Sequence, residues 1–218
     1  ASNTDGWAAG YRAKSTGANA TALGTKSIAT GVDAFAVGVS ARALAANSTS
    51  FGTNANASGI DSQALGYYAN SQSLRGVAIG PYAHVRGIDS MALGHNARTT
   101  SRQDLAVGTN SIAEGPFATA IGYQSNSYGE KSLAIGVNSF ASGVNSLALG
   151  TGAQANGNNA FAIGTNAVAD GDESFAFGDG ATATENAAGA LVAGDNATAT
   201  GVESSAFGFN ALATQSNA

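Results

Sequence analysis

Small and large apolar residues alternate along the whole chain, around a glycine that returns every 14 residues. The stretch 132–136, Ser-Leu-Ala-Ile-Gly, shows this alternation in one unit. A period of two is typical of β-strands, whereas an α-helix needs a period near 3.6 and loses about 1 kcal/mol at each interior glycine. The sequence therefore predicts short strands throughout. The anchor glycines are Gly10, Gly24, Gly38, Gly52, Gly66, Gly80, Gly94, Gly108, Gly122, Gly136, Gly150, Gly164, Gly178, Gly194 and Gly208.

Two tight turns are predicted in each unit. Ten units carry a second glycine seven residues after the anchor, as at Gly143, and glycine allows the positive φ that such turns need. We therefore expect two strands of about five residues per unit. The predicted fold is all-β, a parallel β-roll (a solenoid) of about 15 coils of 14 residues with two short strands per coil. It forms one domain over residues 1–218, with an irregular 16-residue coil between Gly178 and Gly194.

The two sides of each strand differ in residue size. Alanine stands two residues before most anchor glycines, and small residues recur three and five positions after them. We expect these small residues inside the roll, because they let the two sheets approach closely. Alternation then places the large apolar residue before each anchor on the outer surface. This large column comprises Leu23, Val37, Phe51, Leu65, Ile79, Leu93, Val107, Ile121, Ile135, Leu149, Ile163, Phe177 and Phe207.

An isolated roll would expose this large column along its whole length. Monomeric proteins rarely expose contiguous apolar patches beyond a few hundred Å². Burying each such side chain stabilises by roughly 1.5–3 kcal/mol. We therefore predict self-association through this sheet, and symmetric oligomers are the usual outcome. The periodicity does not choose between two and three copies.

The opposite strand carries polar and basic residues, which we expect to face solvent. Residues 1–109 hold eight of the nine Lys and Arg residues and five acids, whereas residues 110–218 hold one lysine and nine acids. A basic outer patch can attract anionic glycans or surfaces, although solubilising charge is the simpler explanation. The basic residues of the candidate ligand face are Arg12, Lys14, Lys26, Arg42 and Arg98, with Arg86 nearby.

Composition excludes several other classes. No run of 18 apolar residues occurs, so no helical membrane insertion of this segment is expected. There is no cysteine, and no serine has a histidine and carboxylate arranged for catalysis, so we expect no enzyme and no cofactor.

The individual polar clusters also have simple explanations. His84 and His95 are too few ligands for zinc, and Asp170, Asp172 and Glu173 suit a solvated loop. Asp33, Asp61 and Asp89, each two units after the one before, are expected to cap turns. We expect no nucleic-acid partner.

The repeat resembles the head repeats of trimeric autotransporter adhesins of the YadA type. Residues 132–136 are followed by Ser139, Ala141 and Gly143, and the same frame recurs at 145–150, followed by Ala153, Ala155 and Gly157. The resemblance covers essentially the whole chain. It implies a left-handed β-roll that trimerises along an apolar axis, so that the large column becomes the trimer interface.

The resemblance also carries functional expectations. It implies an extracellular adhesin on a bacterial surface, anchored to the outer membrane through a stalk and barrel that this sequence lacks, so a head segment is expected. In some relatives, an Asn-Ser-Val-Ala-Ile-Gly motif with a following serine is associated with collagen binding. Ser132 and Ser139 fit that pattern and join the candidate ligand face, but Lys131 and Leu133 depart from it. Host matrix proteins or cell-surface glycans are the implied partners, besides the chain itself as a homotrimer.

Three other functions compete with the adhesin head. A passive spacer within a longer surface fibre is the main alternative, because a regular roll can separate other domains without binding anything. An ice-binding solenoid would need a regular threonine ladder, whereas the outer columns here mix Asn, Arg, Lys, Thr and Tyr. An enzyme ranks last.

Overall fold

The computed structural model describes residues 5–218, and all regular elements in that range are β-strands. The chain divides into two compact units, an N-terminal unit that ends at Asn110 and a C-terminal unit that begins at Ser111. Both are built from coils of a parallel solenoid, with a three-residue strand and a two-residue strand in each coil. The prediction of a single domain over residues 1–218 stays a prediction.

The N-terminal unit contains strands β1 to β15. Its three-residue strands are β1 Trp7–Ala9, β3 Thr21–Leu23, β5 Phe35–Val37, β7 Thr49–Phe51, β9 Gln63–Leu65, β11 Val77–Ile79, β13 Met91–Leu93 and β15 Leu105–Val107. Its two-residue strands are β2 Lys14–Ser15, β4 Ile28–Ala29, β6 Arg42–Ala43, β8 Asn56–Ala57, β10 Asn70–Ser71, β12 His84–Val85 and β14 Arg98–Thr99. The two kinds of strand form two separate sheets, the three-residue sheet and the two-residue sheet.

The C-terminal unit contains strands β16 to β30 in the same alternation. Its two-residue strands are β16 Ile112–Ala113, β18 Asn126–Ser127, β20 Phe140–Ala141, β22 Gln154–Ala155, β24 Val168–Ala169, β26 Thr182–Ala183, β28 Thr198–Ala199 and β30 Leu212–Ala213. Its three-residue strands are β17 Thr119–Ile121, β19 Leu133–Ile135, β21 Leu147–Leu149, β23 Phe161–Ile163, β25 Phe175–Phe177, β27 Leu191–Ala193 and β29 Ser205–Phe207.

Strands pair in parallel with the equivalent strand of the next coil. In β19 and β21, Leu133 pairs with Leu147 and Ile135 with Leu149, so the register advances by one coil. The predicted fold class is therefore confirmed: a parallel β-solenoid of about 15 coils with two strands per coil. The strands are shorter than predicted, because the two turns occupy most of each coil.

The turns recur twice in each coil. Most contain a backbone hydrogen bond from the fourth residue to the first, such as Ala13 N to Gly10 O at 3.1 Å. The third turn residue has φ near +55°, as in a type II turn; Arg12 (+56°) and Asn19 (+54°) are consecutive examples. Asparagine, which tolerates this left-handed conformation, is frequent there, but Arg, Lys, Tyr and Phe also occur.

The two sets of glycines serve different purposes. The anchor glycines have φ between +108° and +148°, where L-residues are strained, and this agrees with the sequence prediction. A Cβ added at Gly136 would also lie 2.3 Å from the Gly150 carbonyl oxygen. For the second glycines the prediction of positive φ was wrong. Gly143 lies outside that region. Glycine is needed there for lack of space, because a Cβ added at Gly143 would lie 1.9 Å from the carbonyl oxygen of Gly157 in the next coil.

The interior of each unit is filled by small side chains, as predicted. Ala134 in β19 is fully buried, whereas Leu133 and Ile135 on either side of it are only half-buried. Many buried serines, such as Ser132 and Ser139, donate to a backbone carbonyl, whereas the buried hydroxyl groups of Ser71 and Ser146 have no hydrogen-bond partner. The large column therefore lies outside each unit, where strand parity places it.

The irregular coil keeps the register by adding one extra turn. Glu185 and Asn186 are the two added residues, and both are exposed. The amide of Ala187 donates to Thr184 O at 2.8 Å across them. Ala187 then takes the place of the second glycine. Strands β25 and β27 still pair in register across the lengthened coil, with Phe175 opposite Leu191.

Candidate ligand-binding and assembly surfaces

The outer face of the three-residue sheet is apolar in both units. In the single chain Phe51 is 55% exposed, Leu149 39% and Phe207 62%, while most other members of the large column are half-buried. The rings of Phe161 and Phe175 stack at 5.0 Å on the same face. This placement agrees with the predicted outward direction, and the role of the column as an interface between copies stays a prediction.

The two-residue sheet of the N-terminal unit presents a column of basic and polar side chains. Lys14 pairs with Ile28 and Ile28 with Arg42, while His84 pairs with Arg98 further along the sheet. Lys14, Arg42 and Arg98 are exposed on the outer side, because the next residue of each strand is buried. The structure thus brings these three predicted residues into one column.

Four of the other predicted ligand-face residues lie elsewhere. Arg12 and Lys26 belong to turns with φ of +56° and +57°, not to the strand where the sequence placed them, although both remain exposed. Ser132 and Ser139 lie inside the coil, at 1% and 0% exposure. Ser132 Oγ donates to Gly129 O at 2.7 Å and Ser139 Oγ to Gly136 O at 3.0 Å. Placing them on a ligand face was wrong, because strand parity turns them inward.

His84 is a half-buried titratable group of the basic column. Its Nε2 accepts a hydrogen bond of 3.1 Å from Arg86 Nε, and Arg98 lies beside it in register. Burial, and then the charges of Arg86 and Arg98, lower the pKa of His84 below its usual value near 6.5. The imidazole is therefore neutral at pH 7, and the positive charge of this face comes from the arginines and lysines.

Acidic residues of the N-terminal unit line the second turn instead. Asp33 Oδ1 accepts from Asn19 Nδ2 at 2.9 Å, and Asp61 Oδ1 from Asn47 Nδ2 at 2.8 Å, each from the equivalent residue of the preceding coil. Asp89 forms a bidentate pair with Arg75, with Nη2 to Oδ2 at 2.8 Å, and this hydrogen bonding lowers the pKa of Asp89. These carboxylates link successive coils through side chains and accept no backbone amide, so the prediction that they cap turns was wrong.

A cluster of aromatic rings lies on the first turns of two adjacent coils, and it was not predicted from the sequence. Tyr68 and Tyr82 stack at 5.7 Å with their planes 7° apart, and Tyr67 meets both edge-on. His95, one coil further, contacts Tyr82 at 5.9 Å. The signal was available in the sequence, because these rings occupy equivalent positions one and two residues after consecutive anchor glycines.

The acidic segment of the C-terminal unit forms hydrogen bonds between coils. Asn156, Asp170 and Glu185 line an open depression, and Asn156 Nδ2 donates to Asp170 Oδ1 at 2.6 Å. Asp172 Oδ1 accepts from the Asn158 amide at 2.7 Å. Within residues 5–218 no three His, Cys, Asp or Glu side chains are grouped closely enough to hold a metal ion. The same range contains no helix that could span a membrane.

Together these features define a class of protein: a repeat solenoid that packs small residues inside and displays its chemically distinctive side chains in columns on outer faces. The family model described as "YadA head domain repeat (2 copies)" matches nearly all of the chain, and each match spans about two coils. The chain belongs to the family of YadA head repeats. The matched ranges are residues 1–27, 29–55, 57–83, 86–115, 100–125, 113–139, 141–167, 155–181, 186–211 and 199–218.

A solved structure is also similar to this chain. It is the collagen-binding domain of the Yersinia adhesin YadA, at 22% sequence identity, with 69% of this chain and 70% of that chain covered and a TM-score of 0.41. Curated protein sequences gave no match. The family and the fold are those of an adhesin head rather than of an enzyme class.

Proposed function

We propose that this chain is the head of a surface adhesin that assembles as a homotrimer and binds host matrix proteins or cell-surface glycans through its outer faces. Membership of the YadA head family supports the adhesin assignment. The observation that carries the binding proposal is the direction of the side chains. Because Ala, Ser and Gly fill the interior, nearly every large or charged group available to a partner lies outside and repeats from coil to coil.

Assembly follows from the apolar outer face of the three-residue sheet. Side chains such as Phe51 and Leu149 are exposed in the single chain and become buried only if another surface covers them. Further copies of the same chain offer the matching column at the same spacing, and each buried side chain contributes about 1.5–3 kcal/mol. Three copies fit the trimeric organisation that gives this class of autotransporters its name.

Affinity then comes from repetition. A coil presents few groups, so one coil binds weakly, but equivalent groups on successive coils and on three copies act together and raise the avidity. The head acts at the bacterial cell surface, anchored to the outer membrane by other parts of its protein. Lys14, Arg42 and Arg98 form the proposed ligand face, with Arg12 and Lys26 on the adjoining turns.

A binding assay on the assembled chain tests this proposal. Purified protein is applied to immobilised collagen, fibronectin, laminin and sulfated glycans, and to cultured epithelial cells. Saturable binding to at least one of them is expected. Absence of saturable binding to every surface would contradict the proposal and favour the passive spacer.

A further inference from the structure

Charges in the N-terminal unit are sorted by face. We define the first-turn face as the residues one, two, four and six positions after each anchor glycine. Between residues 10 and 110 these positions hold six cations and no Asp or Glu. The acids of this stretch lie elsewhere: Asp33, Asp61 and Asp89 on the second turn, and Asp104 in the interior at 2% exposure. The six cations are Arg12, Lys14, Lys26, Arg42, Arg86 and Arg98.

The tyrosine cluster lies on this same face. Tyr67, Tyr68 and Tyr82 are each 47% exposed, so the faces and edges of their rings reach solvent. Arg86 belongs to the coil of Tyr82, and Arg98 belongs to the next coil, in register with His84. On this face, cations therefore lie on the coil of Tyr82 and on the next coil, whereas the coil of Tyr67 and Tyr68 carries none.

Displaying these rings is unfavourable for the backbone. Tyr68 and Tyr82 have φ of +55° and +59°, a conformation that bulky residues rarely adopt. The equivalent positions of the neighbouring coils on either side hold Asn54 and Asn96, which tolerate it better. The solenoid itself does not require aromatic residues there, because Asn, Arg and Lys occupy the same turn position in other coils.

We infer that the first-turn face of the N-terminal unit binds an acidic polysaccharide, whose sugar rings pack on Tyr68 and Tyr82 while its sulfate or carboxylate groups contact the arginines. Arginine binds such oxyanions through charge-assisted, bidentate hydrogen bonds. The column from Lys14 to Arg98 extends over six coil steps, about 29 Å at ordinary strand spacing, which suits an extended polymer. This inference rests on the proposed adhesin function and specifies its ligand class.

A collagen-like peptide is the competing occupant, because proline-rich chains also dock on exposed aromatic rings. The charge sorting favours the acidic glycan. A face without carboxylates and with six cations raises the local concentration of a polyanion, whereas a near-neutral triple helix gains little from it.

Surface plasmon resonance of the assembled full chain tests the inference, with heparin as the probe. Dextran serves as the neutral polysaccharide and a triple-helical Gly-Pro-Hyp peptide as the competitor. The expected result is saturable heparin binding that weakens with added salt, since exposed charges are screened within about 10 Å at 0.1 M. The double variant Tyr68→Asn/Tyr82→Asn should bind about 3- to 10-fold more weakly. Arg42→Gln/Arg98→Gln should lose at least as much and show a shallower salt dependence.

Matched variants separate binding from folding. Asn is the residue of the neighbouring coils, so Tyr68→Asn/Tyr82→Asn should melt at the native temperature or slightly above it. Tyr123→Thr removes another exposed tyrosine at a position where Thr109 and Thr151 already occur, and it should leave heparin binding unchanged.

Four outcomes would overturn the inference. The tyrosine variants could bind heparin with unchanged affinity, dextran could bind as well as heparin, or the triple-helical peptide could displace heparin. The fourth is a changed oligomeric mass of the tyrosine variants, which would assign the rings to a contact between copies. A chain that binds matrix proteins or cells but not heparin refutes the inference alone. A chain that binds no surface refutes the proposed function as well.

Discussion

The first-turn face differs sharply between the two units, although the coils beneath it are the same. In the N-terminal unit these positions hold six cations and no acids, whereas in the C-terminal unit they hold Glu114, Asp170, Asp179 and Asp195 and no cation. The interiors do not differ in this way: Ala92 and Ala134, at equivalent positions, are both fully buried. The small residues that point into the coils therefore determine the fold, while the residues on the outer faces can differ between coils and suit different partners.

The largest expected effect comes from enlarging an inner side chain, in either unit. Ala134→Leu and Ala92→Leu each push a branched side chain between two closely spaced sheets, and overpacking of this kind costs about 1–3 kcal/mol or more. We expect both variants to melt well below the native chain in circular dichroism. Ile135→Leu, an outward change next to the first site, should melt close to the native temperature. An equal loss of melting temperature in Ala134→Leu and Ile135→Leu would contradict the distinction between inward-facing and outward-facing residues.

The two sets of glycines should differ in the next largest effect. Gly136→Ala combines a φ of +135° with a Cβ 2.3 Å from a backbone oxygen, so it should cost about 1–2 kcal/mol. Gly143→Ala should cost less, because Ala45 already occupies the equivalent position of another coil and the backbone there can adjust. Thermal unfolding of the two variants gives the order. A reversed order would mean that close approach, not φ, dominates the cost of a Cβ in these turns.

Neutralising the C-terminal acids should change binding without changing the fold. Replacing Asp170, Asp179 and Asp195 by Asn and Glu114 by Gln preserves shape and the carbonyl that accepts from the Asp179 amide. Stability should shift by no more than about 0.5 kcal/mol at the exposed Asp179 and Asp195, and by about 0.5–1 kcal/mol at the half-buried Asp170 and Glu114. Retention on a heparin column should rise, because repulsion of the polyanion is removed. Marked unfolding of this variant would show that outer columns also determine the fold.

The smallest expected effect concerns His84. Its pKa is lowered in the folded chain, so the unfolded chain binds more protons at mildly acidic pH and stability should rise with pH between about 5 and 7. His84→Asn, which places there the residue found at Asn56 and Asn70 of the same column, should flatten this dependence. A native chain with a flat profile over this range would contradict the assignment.

Much of the fold could be predicted from the sequence because glycine spacing and strand parity are strict geometric rules. The regular step between anchor glycines defined the coil, and Ala134 between Leu133 and Ile135 indicated which side faces inward. The equivalence of the two turns in each coil was missed. Their left-handed positions carry residues such as Arg12 and Tyr68, which rarely adopt that conformation and so give no local signal.

The candidate site was harder to predict than the fold. Ser132 was placed outside because of a motif resemblance, although the same parity rule puts it inside. The tyrosine cluster arises only when coils are stacked, since Tyr68 and Tyr82 belong to successive coils and are far apart along the chain. The position of each residue relative to its anchor glycine indicates both the inward direction of Ser132 and the proximity of Tyr68 to Tyr82.

The central claim is that the large apolar column is covered by sister copies of the same chain. Light scattering coupled to size-exclusion chromatography, on the native chain and on Ile135→Asp, tests it most directly. We expect a native species of three times the 21.2 kDa chain mass, and dissociation when an aspartate enters the column. A stable native species of 21.2 kDa, or a trimer unaffected by Ile135→Asp, would contradict it.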